Sequence, residues 1–179
     1  MVGNIVNHFC IYKIIYYLCN MKNKLKHISF TDAISNITDS PIAKFENKDC
    51  VVRSFASAFE VDYDVAHSIV AEKFKRRYQE GTSRFYTRMN ELMVDKFELN
   101  NKKINRIKRD VDMFYFVNVK GVKTLRSTTT LNFIKSFPKG TYIVMVNGHA
   151  FTIKDGVVIG NHSDAQKRRK IIQAAWQIE

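Results

Sequence analysis

Glycine and proline are scarce, at seven and two in 179 residues. Such a composition excludes a collagen-like or low-complexity chain. No linker-like tract and no internal repeat follow residue 40. Cysteine is scarcer still. Cys10, Cys19 and Cys50 make an odd number without zinc-finger spacing, which excludes a disulfide scaffold and points to a reducing, cytoplasmic compartment. Long hydrophobic runs are missing. The apolar stretch 9–18 (FCIYKIIYYL) is broken by Lys13 and is half the length of the roughly 20 residues a spanning helix needs, so no stable membrane insertion is expected. The opening MVGN lacks the positive start of a signal peptide. Residues 1–20 therefore read as a dispensable extension, with translation from Met21, or as a packed or membrane-associated helix. There is no HExxH, CxxC or Gly-rich phosphate loop, so neither metal nor organic cofactor is expected.

What is present is a folding composition: 45% apolar residues and 12% aromatics, with 13 Phe and 8 Tyr. Residues 21–179 suit one domain that buries about two-thirds of its unfolded surface. Acid is the minority charge, with 17 Asp+Glu against 29 Lys+Arg, or +12 net. An excess of that size favours acidic partners but says nothing about the fold.

Residues 31–44 read as a short helix or loop punctuated by Pro41. From Cys50, a stripe of Val51, Phe55 and Phe59 predicts a buried helix over 50–59. Asp62 caps a second predicted helix over 63–79, with Ala66, Ile69, Val70, Phe74 and Tyr78 inward and Gly81 as its stop. Phe85, Met89, Leu92 and Met93 predict a third helix, and the basic stretch 96–110 a solvated helix or loop. Thereafter the pattern changes. Residues 113–119 (MFYFVNV) read as a strand, and 128–137 as a helix capped by Ser127 or Thr128 and stopped by Pro138. Residues 141–147 form a buried strand, interrupted at Gly148-His149 and continued over 150–154. Asp155-Gly156 then turns the chain so that Ile153 opposes Val158. Helices first and an antiparallel sheet second make an α+β fold.

Three chemical groups coincide with this layout: Cys50 at a helix start, His149 within a strand pair, and Asn161 just past the return strand. A nucleophilic cysteine needs a stabilised thiolate, which the positive end of a helix favours. An imidazole must exchange its proton, and a third polar group must hold the ring's tautomer. Hairpin pairing brings His149 beside the segment around Asn161 or His162, and Asp164 competes with Asn161 for the third role. Asp49, next to the thiol, must be paired or turned away, because a bare carboxylate there opposes the thiolate. Taken singly, Cys50 reads equally as a small buried residue, His149 as a core histidine and Asn161 as a turn residue. His67 and His162 read as helix-surface and loop residues, and Cys10 and Cys19 as structural.

The blocks NKDCVVRSFASAF, DYDVAHSIV and KGTYIVMVNGHAFTIKDGVVIGN together resemble small papain-like cysteine peptidases, most closely the compact bacteriophage and viral forms. Asp49-Cys50-Val51-Val52-Arg53 also resembles the nucleophile block of OTU-type deubiquitinases. The resemblance covers about a third of the chain and implies a single papain-like domain in a host cytoplasm. It implies Cys50 as nucleophile, His149 as general base and acid, and Asn161 as the orienting residue. Papain-type enzymes place an oxyanion-binding Gln six residues before the nucleophile. Here that position is Lys44, which leaves Asn47 or the backbone N–H groups around Asp49 and Cys50 for the role. The implied activity is thiol hydrolysis of a peptide or isopeptide bond in a protein or peptide substrate. Deamidation, transglutamination and acyl transfer are neighbouring chemistries on the same dyad.

The rival expectation is a catalytically inactive protein of the same fold. Its basic stretches 73–77 (KFKRR), 102–109 (KKINRIKR) and 167–170 (KRRK) would bind nucleic acid or an acidic host protein, if they are not simply a solvated surface.

Overall fold

The computed structural model describes residues 25–106, 114–119, 122–166 and 170–179. The expected extension at 1–20, with Cys10 and Cys19, lies outside the described residues, as do Met113 and the 107–109 and 167–169 portions of the basic stretches.

Local capping divides the 31–44 region. Strand β1 (His27–Ser29) leads into a one-turn helix α1 (Phe30–Ala33), whose Asp32 N–H donates to Ser29 Oγ at 3.1 Å. Ser40 accepts from Ala43 N–H at 3.0 Å and opens α2 (Pro41–Phe45), where Pro41 occupies the first turn and its missing N–H is not needed. Helix α3 (Cys50–Phe59) follows, and its stripe of Val51, Phe55 and Phe59 is at most 4% exposed. Val52, Ala56 and Ala58 are buried as well, so this helix is enclosed on most sides.

Helix α4 (Tyr63–Phe74) starts after Asp62, which occupies the cap position as expected, yet its side chain makes no capping bond. Its carboxylate accepts from Ser35 Oγ at 2.6 Å, while Asn36 Oδ1 takes the Tyr63 N–H at 2.6 Å. The helix also stops at Phe74 rather than running to Gln79. Lys75 turns into the left-handed region (φ 54°), which leaves Tyr78 exposed instead of inward, and Gly81 is not the stop. Helix α5 (Phe85–Val94) buries Phe85, Met89 and Leu92 as their spacing predicts.

The basic stretch after it corrects the expectation of a solvated helix or loop. It forms β2 (Glu98–Leu99) and β3 (Lys102–Arg106), because Ile104 points into the core while the flanking polar residues do not. Among the described residues, strands β4 (Phe114–Val119) and β5 (Val122–Ser127) pair only with each other. Helix α6 (Thr130–Ser136) is capped by Thr129, not by Ser127 or Thr128, since it is Thr129 Oγ1 that meets the Asn132 N–H.

The C-terminal strands are β6 (Thr141–Val146), β7 (His149–Lys154) and β8 (Val157–Gly160), followed by helix α7 (His162–Gln166) and β9 (Ala174–Ile178). Gly148-His149 does not interrupt one strand. Asn147 and Gly148 (φ 67°) reverse the chain, so that Val146 pairs with His149 across two separate strands. The second turn matches the sequence reading: Asp155 and Gly156 have φ of 47° and 75°, and Ile153 opposes Val158.

The seven-stranded sheet has the order β1-β8-β7-β6-β9-β3-β2. All its pairs are antiparallel except β1 with β8, so the fold is α+β around a mixed sheet rather than a purely antiparallel one. Strand β9 slots between β6 and β3, carrying the fully buried Trp176 against Phe85 at 5.4 Å between ring centroids. Among the described residues, no helix is long and apolar enough to cross a membrane.

Helix α3 lies along β7. Thr152 donates to the Ser54 carbonyl at 3.1 Å and sits 2.8 Å from Ser57 Oγ, all within the core. Replacing Thr152 with Val removes both contacts, although Ser57 Oγ still reaches the Arg53 and Ser54 carbonyls. Urea denaturation is expected to show a loss of about 1–2 kcal/mol with an unchanged m-value.

Candidate active site

A cleft of about 630 Å³ opens where the start of α3 faces the β6–β7 turn, and both Cys50 and His149 line it. Cys50 is the first residue of its helix and is partly exposed. The chain enters through Lys48 in the left-handed region (φ 54°) and Asp49 at φ −98°, ψ 21°. Asp49 occupies the capping position without capping. Arg53 Nε donates to both of its carboxylate oxygens at 2.9 Å, and the Tyr63 hydroxyl donates to Oδ2 at 2.7 Å. The carboxylate beside the thiol is therefore paired, as the sequence reading requires. The N–H groups of the first turn are left without a side-chain cap. Burial, and next the bond to Asp49, holds the Tyr63 hydroxyl protonated far above its ordinary range.

His149 begins β7, and its Nε2 lies 3.0 Å from Asp164 Oδ2. Asp164 is fully buried in α7. Its Oδ2 also accepts the Asn161 N–H at 2.7 Å, and its Oδ1 accepts from Lys170 Nζ. Burial opposes charge on the His149 ring. The hydrogen bond to Asp164 and the neighbouring Cys50 outweigh it, so the pKa rises from 6.5 to about 9. Burial likewise works against the Asp164 carboxylate, but its bonds to His149 and Lys170 hold its pKa below the ordinary value. With Nε2 committed to Asp164, Nδ1 is the ring nitrogen left to face Cys50. Gly160 makes this possible: a Cβ there would come within 2.6 Å of Asp164 Oδ2.

The side chain that meets the His149 ring is that of Asp164, not that of Asn161. The Asp164 N–H bonds back to the Asn161 carbonyl, and this tight turn tucks the Asp164 side chain under the ring. Asn161 lines the cleft, is exposed, and contributes its main-chain N–H. Asn47 also lines the cleft, whereas Lys44 is exposed outside it.

A second network was invisible in the sequence pattern. Glu46 and Arg76 have fully buried side chains and pair through two bonds, Nη1 to Oε1 at 2.9 Å and Nη2 to Oε2 at 2.8 Å. His67 Nε2 lies 3.1 Å from Glu46 Oε1, and the Gln79 N–H donates to both carboxylate oxygens. Burial pushes the Glu46 pKa up, but Arg76, the Gln79 N–H and His67 bring it down to about 2. Arg76 Nη2 also reaches the Asn47 carbonyl at 3.3 Å, so the network holds the loop that leads to Cys50.

Arg76 belongs to the basic stretch 73–77, and its burial corrects the reading of that stretch as wholly solvated. His67 is likewise not a plain helix-surface residue. Elsewhere in the basic stretches, Lys102 pairs with Glu60, Lys103 with Glu98 and Lys170 with Asp164. Among the described residues, no group of three or more His, Cys, Asp or Glu side chains is disposed to hold a metal ion.

Neither a scan of protein-family models nor comparison with characterised proteins and with solved structures returns a significant match.

Two outcomes follow from the charges. The raised His149 pKa means that its ion pair stabilises the fold fully below pH 6.5 and that this contribution is lost as pH rises through about 9. In Asp164→Asn, the His149 ring resonances are expected to titrate at or below 6.5 by NMR, and the stability loss between pH 6.5 and 9 should shrink. Arg76→Met takes the guanidinium from the buried Glu46, leaving it only His67 and the Gln79 N–H, and should cost about 3 kcal/mol in urea denaturation. Glu46→Leu combined with Arg76→Met should recover most of that loss.

Proposed function

We propose that the chain is a papain-like thiol hydrolase that cleaves a peptide or isopeptide bond. The observation that carries this reading is the placement of His149 between Cys50 and a buried carboxylate, Asp164, in an accessible cleft. The Cys50 thiolate, paired with the His149 imidazolium, attacks the substrate carbonyl carbon and forms the C–S bond of a tetrahedral adduct. His149 then gives its proton to the amide nitrogen as the C–N bond breaks, leaving a thioester and a free amine. Water, deprotonated by His149, attacks the thioester carbonyl and releases the carboxylic acid and Cys50.

Asp164 keeps the ring in the orientation and tautomer this exchange needs. The uncapped first-turn N–H of Cys50 and the Asn47 side chain are the proposed donors to the developing oxyanion, in a family in which a Gln ordinarily serves. A single such donor is worth about 3–4 kcal/mol of transition-state stabilisation. A helix-borne cysteine set against a strand-borne histidine in an α+β domain supports the papain-like assignment. If an amine replaces water in the second step, the same thioester leads to acyl transfer.

Iodoacetamide labelling of Cys50, located by mass spectrometry, tests the dyad before any substrate is known. Rapid labelling at pH 6 is expected, slowed at least about tenfold in His149→Ala. Against a fluorogenic peptide library, wild type should release amine and Cys50→Ala should not. Equal turnover by the two proteins, or labelling that His149→Ala leaves unchanged, overturns the proposal.

A further inference from the structure

The charges lining the cleft are unequal in how they are satisfied. Its two carboxylates are both consumed internally: Glu46 by Arg76, His67 and the Gln79 N–H, and Asp49 by Arg53 Nε and the Tyr63 hydroxyl. Two of its cationic side chains keep free N–H donors. Lys48 is exposed at the cleft and has no carboxylate partner among the described residues. Arg53 spends only its Nε on Asp49, so Nη1 and Nη2 have no protein acceptor among the described residues, and its side chain is 24% exposed.

Position sharpens the point. Arg53 is three residues beyond Cys50 in α3, hence on the same face, with the two Cβ atoms about 5–6 Å apart. A guanidinium with two free donors in fork geometry beside the reactive sulfur matches a carboxylate. Asp49 balances its charge and holds it there by Nε, which leaves Nη1 and Nη2 as free donors.

We infer that the cleft selects substrates carrying a carboxylate side chain next to the bond attacked, with Arg53 as the principal contact and Lys48 as a second positive charge at the mouth. The substrate class is thus an acidic peptide segment. This inference rests on the proposed thiol chemistry at Cys50. It concerns two residues in the cleft and not the basic stretches.

A pair of reagents of nearly equal size separates the two ideas. Iodoacetate and iodoacetamide both alkylate a thiolate by forming a C–S bond and expelling iodide, and they differ by one carboxylate. The ratio of their rates at Cys50, normalised to the same ratio for free cysteine, is expected to be raised about tenfold at low salt. Lys48→Gln and Arg53→Gln should each lower it, and the double variant should bring it down to the smaller preference that the His149 imidazolium sustains by itself. Because Arg53→Gln also loosens Asp49, Arg53→Lys serves as the control and should retain part of the preference. His149 is unchanged throughout, so its own charge cancels from the comparison.

Fast iodoacetamide labelling without iodoacetate preference, or a preference that the Lys48 and Arg53 variants leave intact, overturns this inference and leaves the proposed dyad standing. Slow labelling by both reagents at pH 6 overturns the dyad and the inference with it.

Discussion

The contact on which the site depends is the alignment of helix α3 with strand β7. Cys50 faces His149 across the cleft at one end, Ser54 and Ser57 bond Thr152 midway, and Glu60 pairs with Lys154 at the other end. Residues 50 to 60 climb about 15 Å at the helical rise, and residues 149 to 154 advance about 16–17 Å at the strand rise. Ten residues of helix and five steps of strand therefore run the same way over the same length. The middle fastening is polar and buried, so it resists sliding: a shift by one helical residue would break both Thr152 contacts at once. Phe55 and Phe59 supply the apolar area, but the hydroxyls set the register.

A second layer of constraint acts on His149 from the far side. Asp164 can approach the ring only because Gly160 has no side chain, and α7 returns Asp164 beneath the strand end within four residues. The carboxylate is then shared between an imidazole, an ammonium and a main-chain N–H, which leaves its oxygens no freedom to rotate. This is a rigid mount for the ring. The ring in turn faces a sulfur fixed at a helix terminus, so neither partner of the proposed dyad sits on a loop free to wander.

Local patterning made part of this legible. The stripe of Val51, Phe55 and Phe59, the Asp155-Gly156 turn and the Ile153–Val158 pairing follow from periods and turn chemistry that a few neighbouring residues settle among themselves. What escaped depends on distant partners. Asp62 reads as a side-chain cap, but Ser35, 27 residues earlier, engages its carboxylate instead. Arg76 reads as solvated among its basic neighbours because nothing nearby reveals Glu46, 30 residues earlier. The insertion of β9 between β6 and β3 is a topological choice, and the short run Ala174–Ile178 shows no alternation that would announce it: Ala174, Ala175 and Trp176 are all buried. At the site, Cys50 and His149 were both nameable, whereas choosing Asp164 over Asn161 required the turn at α7.

Buried acids organise a chain whose excess charge is basic. Glu46, Asp49 and Asp164 are at most 8% exposed, and each is met by cationic or hydroxyl donors around one cleft. Apolar residues of equal volume would pack there at no desolvation cost, so stability alone does not explain these pairs. The backbone between the first two acids does. Lys48 sits in the left-handed region, which costs a non-glycine residue about 1–2 kcal/mol. Left to itself, the segment 46–49 would relax and Cys50 would move with it. Arg76 grips the chain just before Lys48, and Arg53 with Tyr63 grips it just after. The strained residue is thus held between two charge-assisted clamps, and the sulfur is placed by the rigidity of the pair rather than by the propensity of the loop.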